Sequence, residues 1–277
     1  MREMGTFTGH ASLLTRQEWR LLVDPPSDPW WNMGVDEAIT ADVAEGKSPP
    51  TLRLYRWDRP AVSVGRFQDV VRGIDAEYCR SHQIPIVRRP TGGRGILHGG
   101  DQTVSVVVPE ADLGAASKRV VESYRLLSRG FESALGSLGL TVRFGSCESA
   151  TGARGDCFAV RSAADMLCTS DGAKIVGSAQ RRIGGVILQQ SSILHRLPPV
   201  EHRKVFRGPT GASKYPLALF SEEKLRDALI RGFGRALGIR LVPRGLSKAE
   251  TEDAERMALS AAQNESERKS VDSRMGI

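Results

Sequence analysis

Short strand-like segments joined by tight turns constrain the fold of this chain more than any other feature. Every second position from Val104 to Val108 is valine, which is the spacing of one face of a strand. Asp171-Gly172 separates two further strand candidates, 165–169 and 174–178, and this dipeptide suits the positive φ angles of a hairpin turn. Strands that follow one another without a helix between them pair antiparallel. The sequence therefore predicts an α+β fold with a mixed, mainly antiparallel sheet flanked by helices.

Helical periodicity is present in three longer stretches. Apolar residues recur every three or four positions from Val120 to Leu138, which predicts an amphipathic helix. Asp28 and Pro29 are suited to begin another helix, which Gly46 ends. A third helix is expected over 222–237. Strands are predicted over 51–57, 61–64, 84–88, 103–108, 140–144, 158–160, 165–169, 174–178 and 185–194.

The charge and the hydropathy pattern limit the classes of partner. The 277 residues carry a formal net charge of +7. A basic surface suits nucleic acid, an acidic protein or a phosphate-bearing ligand as partner. The alternative is a basic surface that contacts only solvent. No RNP1-like segment, zinc-finger spacing or leucine heptad occurs, so nucleic acid is not an expected partner. No apolar run approaches the roughly 20 residues of a membrane helix, and residues 1–20 lack the apolar block of a signal peptide. We expect a cytoplasmic protein with no membrane partner.

The cysteine pattern argues against structural metal or disulfide bonds. Cys79, Cys147, Cys157 and Cys168 show neither CxxC spacing nor a neighbouring group of histidines. A zinc site is therefore not expected, and neither are disulfides in a reducing compartment. The sequence therefore predicts free thiols, and this pattern is compatible with a reactive cysteine.

Three segments have compositions suited to chemistry. In Arg88–Gly95, two arginines precede a glycine-rich stretch whose N–H groups can converge on an anion or a ligand chain, although a tight glycine turn is the alternative. Lys174 precedes the small residues Gly177–Ala179, which leave space for a ligand. Cys157 lies at the mouth of a loop rich in glycine and serine. The alternative for Lys174 is an ordinary surface lysine, and the alternative for Cys157 is a small apolar residue buried in the core.

The predicted hairpin brings Cys157 and Lys174 into one structural unit. In the register that the turn suggests, Thr169 lies opposite Lys174 and Cys168 one step further on. Cys157 lies at the start of the same strand–turn–strand unit. A thiolate is the reactive form of cysteine, and a nearby ammonium lowers the pKa of a thiol.

Together these segments resemble the lipoate-attachment family, which includes lipoate–protein ligases, octanoyltransferases and, more distantly, biotin–protein ligases. The motifs occur in the order and spacing of that family between about residues 30 and 241. They are Asn32–Glu37, Leu52–Trp57, Ser63–Gln68, Arg88–Gly95 with His98, Lys174–Gln180 and Gly185–Gln189. The resemblance implies the fold shared by biotin ligases and class II aminoacyl-tRNA synthetases. It also implies a loose N-terminal segment at 1–27, a catalytic domain at 28–245, and a polar C-terminal helix and tail at 246–277.

A Gly-x-Cys-Phe segment ahead of the lysine hairpin resembles the octanoyltransferase branch of the family. The resemblance implies that Cys157 carries the acyl group as a thioester and that Lys174 activates this cysteine. It implies an acyl carrier protein as donor and no cofactor. The acceptor would be a lysine of a lipoyl domain, such as the glycine cleavage H protein or a dehydrogenase E2 subunit. The substrate-binding positions implied are Arg89, Thr91, Gly92, Gly93, Arg94, His98, Gly177, Ser178 and Ala179.

Two other functions remain open from the sequence. An ATP-dependent lipoate–protein ligase would use the glycine segment and Lys174 to hold a lipoyl-adenylate, and would require ATP and Mg. A non-catalytic lipoyl-domain-binding protein is the other. Arg94 stands where the ligases have a third consecutive glycine, which favours the transferase branch. Gln190-Ser191 replaces the His-Gly often found in the family and leaves the acyl-chain preference and activity open.

Overall fold

The structure is a computed structural model that describes residues 14–145, 155–211 and 215–275, with side chains as far as residue 265. The strands are β1 (Glu18–Val23), β2 (Thr51–Tyr55), β3 (Ala61–Val64), β4 (Ile86–Arg88), β5 (Ile96–His98), β6 (Asp101–Pro109), β7 (Val142–Phe144), β8 (Met166–Cys168), β9 (Lys174–Ile183), β10 (Val186–Leu194) and β11 (Arg240–Pro243). The α-helices are α1 (Pro29–Ala44), α2 (Val70–Gly73), α3 (Ala76–Ser81), α4 (Val120–Ser137), α5 (His202–Val205), α6 (Glu222–Leu237) and α7 (Lys248–Met275). Among these helices, none is long and apolar enough to cross a membrane.

A large sheet runs through the centre of the fold in the order β11-β1-β2-β6-β10-β9-β8-β7. β1 is parallel to both of its neighbours, and the remaining pairs are antiparallel. A small second sheet has the order β4-β3-β5. This architecture confirms the predicted α+β class with a mainly antiparallel sheet.

Helices cover the large sheet on opposite faces. α4 and α6 pack together on one face, where the rings of Phe131 and Phe233 meet edge to face with centroids 4.9 Å apart. A Cβ at Gly130 would lie only 2.4 Å from the Phe233 ring, so glycine is required for this close helix approach. α1 covers the other face through Val35 and Ile39, which lie on the helical face that the sequence predicts. The site described below lies near this second face.

Both ends of the described chain belong to the folded body. Residues 1–27 are predicted to be loose, whereas β1, within that range, is an interior strand of the large sheet. Arg20 of β1 forms a buried bidentate ion pair with Glu250 of α7, with both N–O distances at 2.7 Å. Because an unpaired buried charge is costly, each partner holds the other in place. α7 spans Lys248–Met275, so its backbone is helical through most of the segment predicted as a polar C-terminal helix and tail.

The hairpin before the candidate site differs from its prediction. Leu167, not Thr169, pairs with Lys174, and the register shifts between Met166 and Leu167, since Met166 pairs with Val176. The turn is wider than Asp171-Gly172 suggests, because the Cys168 N–H donates to the carbonyl oxygen of Ala173 at 2.8 Å. A strand is also predicted over 158–160, but Cys157–Ala159 is a 3₁₀ turn. The loop predicted at 145–156 lies largely outside the described residues.

Candidate active site

Cys157 and Lys174 meet at the start of β9. The ammonium nitrogen of Lys174 lies 3.4 Å from the Cys157 sulfur and 2.8 Å from the carbonyl oxygen of the same residue. The cysteine is half-buried and free, whereas the lysine is only 8% exposed. Cys157 and Lys174 meet although the predicted register of the hairpin is wrong, because the long lysine side chain extends to the thiol.

Asp165 and a second carbonyl group hold the Lys174 ammonium in place. Asp165 Oδ2 lies 2.9 Å from Nζ, and the carbonyl oxygen of Val160 accepts at 3.1 Å. Burial lowers the pKa of Lys174, but the negative charges of Cys157 and Asp165 outweigh it and leave the pKa above its ordinary value. The group is therefore a fixed cation beside the sulfur at neutral pH. The sequence gives no signal for Asp165, which the fold alone places there.

Hydrogen bonds fasten the cysteine loop to the glycine-rich segment. The Cys157 N–H donates to the carbonyl oxygen of Gly95 at 2.8 Å, and the Gly95 N–H donates to that of Gly155 at 2.9 Å. The buried Asp156 accepts from the Phe158 N–H at 2.9 Å and so starts the 3₁₀ turn. A Cβ at Gly95 would lie 2.7 Å from the Phe206 ring. Close backbone approach thus brings a thiol to the glycine segment.

Glycine and alanine on β9 keep the strand free of bulky side chains beside the sulfur. A Cβ at Gly177 would stand 3.4 Å from the Cys157 sulfur and 3.1 Å from Lys174 Cε, so this position faces the pair directly. A Cβ at Gly93, where φ is +89°, would lie 3.8 Å from that of Ala179. Gly177 and Ala179 therefore share the face that carries the site. Ser178 points the other way and lies 2.8 Å from Ser191, oxygen to oxygen.

Arg89 shapes the glycine segment from within. Its guanidinium donates to the carbonyl oxygens of Gly92, Arg94 and Ser63 and to the Ser63 hydroxyl, which occupies all five N–H groups. The residue is 4% exposed, and burial lowers its pKa. Arg89 therefore supports the loop, and its predicted role in substrate binding stays a prediction. Half-buried Arg94 contributes a carbonyl oxygen to this support, and Gly92 has open space beside it.

His98 belongs to a cluster of buried, mutually bonded side chains, and its predicted part in substrate binding stays a prediction. Its Nδ1 lies 2.8 Å from Asp101 Oδ2, its Nε2 lies 2.8 Å from the Ser63 hydroxyl, and its ring stacks on Trp57. The side chain is 2% exposed. Burial raises the pKa of Asp101, but His98 and the hydroxyl donors Ser192 and Thr103 outweigh it and hold the pKa low.

Thr91 and Gln190 form a buried bridge towards α1. The Thr91 hydroxyl donates to Gln190 Oε1 at 2.7 Å, and Gln190 Nε2 donates to Asp36 Oδ2 at 2.7 Å. Thr91 is fully buried. The glutamine that departs from the family pattern thus has both ends of its amide engaged, and it fixes Thr91 instead of facing an open pocket.

Tyr124 and Tyr215 also adjoin the site, and sequence reasoning missed both. The hydroxyl of Tyr124, on α4, accepts the Gln180 N–H at 2.5 Å, and burial raises its pKa to about 12. Tyr215 packs with Cys157 against the apolar cluster of Ile96, Phe158 and Leu194. The periodicity of α4 marks Tyr124 only as a packing residue, so no local signal distinguishes it.

A cavity of about 960 Å³ lies on a different side of the glycine segment. Its wall comes mainly from α2, α3, β4 and α7, and Cys157 does not line it. Its apolar residues include Val64, Val70, Ile74, Ile86, Val87 and Ala261. Gln68 lines the cavity and donates to the Gly155 carbonyl oxygen at 3.3 Å, so one layer of residues separates it from the thiol loop. Proximity to the sulfur, not cavity size, identifies the reactive site.

Comparison with known proteins gives relatives that span the site. Residues 28–215 match the family described as lipoyl protein ligase A/B catalytic domain. An octanoyltransferase LipM from Kyrpidia tusciae is 38% identical over 87% of this chain and 95% of its own length. Another, from Moorella thermoacetica, is 37% identical over 84% of this chain and 92% of its own.

Solved structures share the fold as well. A protein from T. acidophilum with bound lipoic acid superposes with a TM-score of 0.73 at 26% identity, covering 87% of this chain and 94% of that one. A lipoate-protein ligase A bound with ATP gives a TM-score of 0.73 at 25% identity, covering 88% and 94%.

Proposed function

The chain belongs to the lipoyl protein ligase A/B catalytic domain family, and we propose that it is an octanoyltransferase of lipoate biosynthesis with Cys157 as its nucleophile. The donor is an acyl carrier protein in the cytoplasm, and the acceptor is a lysine of a lipoyl domain. The relatives named octanoyltransferase LipM support this reaction. No cofactor takes part in it.

One observation carries the proposal: a half-buried sulfur lies 3.4 Å from a buried ammonium and faces a glycine. A fixed cation at this distance stabilises a thiolate relative to a thiol. Gly177 leaves space on the side of the sulfur where a carbonyl carbon has to approach. A merely structural cysteine has no need of a buried cation that is itself held by Asp165.

In the first step, the Cys157 thiolate attacks the carbonyl carbon of the octanoyl thioester on the carrier. A carbon–sulfur bond to Cys157 forms, the bond to the carrier sulfur breaks, and the carrier thiolate leaves and takes up a proton. One thioester replaces another, so the step is close to isoenergetic and needs no ATP. The Lys174 N–H groups are engaged by Asp165, Val160 and Cys157. We therefore assign stabilisation of the oxyanion to N–H groups of the glycine segment, since those of Gly92 and Gly93 donate to no acceptor within the described ranges.

In the second step, the neutral amine of the acceptor lysine attacks the Cys157 thioester. An amide bond forms, the carbon–sulfur bond breaks, and the amine proton returns to the sulfur or to solvent. The free amine has a pKa of about 10.4, so only a small fraction is neutral in water at pH 7. Amide formation makes this step favourable and drives the transfer to completion.

The test is incubation of the full-length protein with octanoyl carrier protein, followed by intact-mass and peptide mass spectrometry. We expect one octanoyl adduct on Cys157 that disappears when an apo lipoyl domain is added and octanoylated. Cys168→Ala is the matched control, because Cys168 is buried in the core of the same protein. An adduct of undiminished yield in Cys157→Ala would exclude the proposal.

The ATP-dependent ligase is the second candidate, because the fold is similar to that of a lipoate-protein ligase A bound with ATP. Lys174 and the glycine segment would then hold an acyl-adenylate, and Cys157 would have no role. Transfer from free lipoate that requires ATP and survives Cys157→Ala would favour this candidate. Binding of the lipoyl domain without transfer from either donor would favour a non-catalytic protein.

A further inference from the structure

Two arginines, Arg66 and Arg181, lie beyond the glycine segment. Arg66 follows β3, and its N–H donates to the Thr91 carbonyl oxygen at 2.8 Å. Its guanidinium lies 5.4 Å from the exposed ring of Phe67. Arg181 lies on β9, half-buried. Within the described ranges, neither guanidinium has a hydrogen-bonded or ion-paired acceptor.

Backbone packing places Arg66 and Arg181 on the same side of the glycine segment. A Cβ at Gly65, next to Arg66, would meet the Gly93 carbonyl oxygen, and a Cβ at Gly93 would lie 3.8 Å from that of Ala179, two positions before Arg181. Electrostatic interactions agree with this placement and add Glu37 to the group. Burial lowers the pKa of Arg181, the positive charge of Arg66 lowers it further, and Glu37 opposes both. Glu37, on α1, is itself half-buried, and burial raises its pKa against the pull of the two arginines. Two guanidiniums and one carboxylate leave one net positive charge, which a singly charged anion would neutralise.

A track along one face of β9 joins this cluster to the thiol. Gly177 faces the Cys157 sulfur, and Ala179 faces Gly93. Since alternate residues of a strand share a face, Arg181 is the next side chain in the series. Arg182, on the opposite face, donates to Glu110 instead. The track therefore begins at a nucleophile, passes small residues, and ends at a cation pair.

The length of the track fits the arm of a carrier-bound thioester. Four residues separate Gly177 from Arg181, which in a strand corresponds to about 13 Å. The arm between a phosphopantetheine sulfur and its phosphorus has about as many bonds as four extended residues, or roughly 14 Å. A donor whose carbonyl carbon lies at Cys157 would thus place its phosphate between the two guanidiniums.

We propose that Arg66 and Arg181 bind the phosphate group of the phosphopantetheine arm of the acyl donor. This inference rests on the proposed function, because it takes Cys157 as the point of acyl entry. Arginine suits the task, since its planar donors match phosphate oxygens in pairs. The site would let the enzyme recognise the prosthetic arm independently of the carrier surface.

The experiment compares two donors that differ only in the phosphate, octanoyl-phosphopantetheine and octanoyl-pantetheine. The rate of Cys157 acylation by each is measured by intact-mass spectrometry on the full chain and on Arg66→Gln and Arg181→Gln. We expect the wild type to prefer the phosphorylated donor by roughly tenfold or more, as hydrogen bonds to charged groups suggest. Each variant should reduce that preference, because acylation by octanoyl-phosphopantetheine should slow more than acylation by octanoyl-pantetheine.

Arg182→Gln is the matched control, since it removes the same charge from the adjacent position on the opposite face and should keep the preference. Equal rates with both donors in the wild type, or a preference that survives in both variants, would overturn the inference alone. Failure of both donors to label Cys157 in the wild type would overturn the proposed function, and the inference with it.

Discussion

Two buried polar clusters lie on either side of the glycine segment, and they differ in one respect. The cluster around Asp101 is closed, because its carboxylate accepts from His98, Thr103 and Ser192, all within 3.1 Å. The cluster around Lys174 ends at the half-buried sulfur of Cys157, whose contact with the ammonium is 3.4 Å long. A closed network stabilises the fold, whereas an open end is available to a substrate.

This difference explains which motif residues bear on chemistry. Arg89, Thr91 and His98 all lie in the motifs that suggest a substrate pocket, yet each is at most 4% exposed and has its polar atoms engaged within the protein. They hold the glycine segment in place. The Cys157 side chain is half-buried, and its contact with Lys174 is 3.4 Å long. Substitutions in the closed network should therefore reduce stability, whereas substitution of Cys157 should reduce activity.

The largest expected effect is on activity alone. Cys157→Ala should reduce octanoyl transfer by about a thousandfold or more, because it removes the nucleophile. The free energy of unfolding should change by less than about 1 kcal/mol, since the side chain is half-buried and has only a long polar contact. Transfer assays and urea titration measure the two quantities. A variant that retains a tenth of the activity would place Cys157 among the structural residues.

Lys174→Met should affect both properties. The carboxylate of Asp165, with 2% of its side chain exposed, would lose its cation, and breaking a buried pair costs about 3–5 kcal/mol. Acylation of Cys157 should also fall more than tenfold. The double variant Lys174→Met with Asp165→Asn should regain much of the stability without regaining acylation. Recovery of both would show that the lysine serves only the fold.

Asp101→Asn should affect stability and leave chemistry unchanged. Loss of charge-assisted hydrogen bonds should lower the free energy of unfolding by about 2 kcal/mol at pH 7. Because the pKa of Asp101 is lowered in the folded state, its contribution is present above the unfolded value of about 3.9 and is lost as the pH falls through the lower folded value. Urea titrations from pH 7 downward should show the wild type and the variant converging in acid. Per folded molecule, Cys157 acylation should be the same in both.

The smallest effect is expected at Gly177→Ala. The new methyl group would contact the sulfur at 3.4 Å and crowd Lys174 Cε at 3.1 Å, so acylation should slow by about tenfold while stability changes by less than about 1 kcal/mol. Gly136→Ala is the matched control, since an added Cβ there meets nothing within 4 Å and replacing a helical glycine should stabilise α4 by about 0.5–1 kcal/mol. Equal acylation rates in the two variants would contradict the open face assigned to Gly177.

Local pattern accounts for much of the fold but for less of the site. The alternation of valines in β6 and the spacing of apolar residues in α4 and α6 predict those elements, because burial on one face imposes a period on the sequence. The membership of β1 in the sheet is not predictable in this way. Its neighbours are β2 and β11, and β11 lies more than 200 residues away along the chain. The ion pair of Arg20 and Glu250 likewise joins residues that no local pattern relates.

By itself, the sequence determined the main helices and central strands, the fold class and the two residues that the motifs pair, Cys157 and Lys174. Only the tertiary structure decided that Asp165 holds the lysine and that His98 and Arg89 are buried among their hydrogen-bond partners. The physical reason is that composition and periodicity report which residues are apolar and how they repeat. Whether a polar side chain ends in a closed network or beside open space depends on residues brought together from distant parts of the chain.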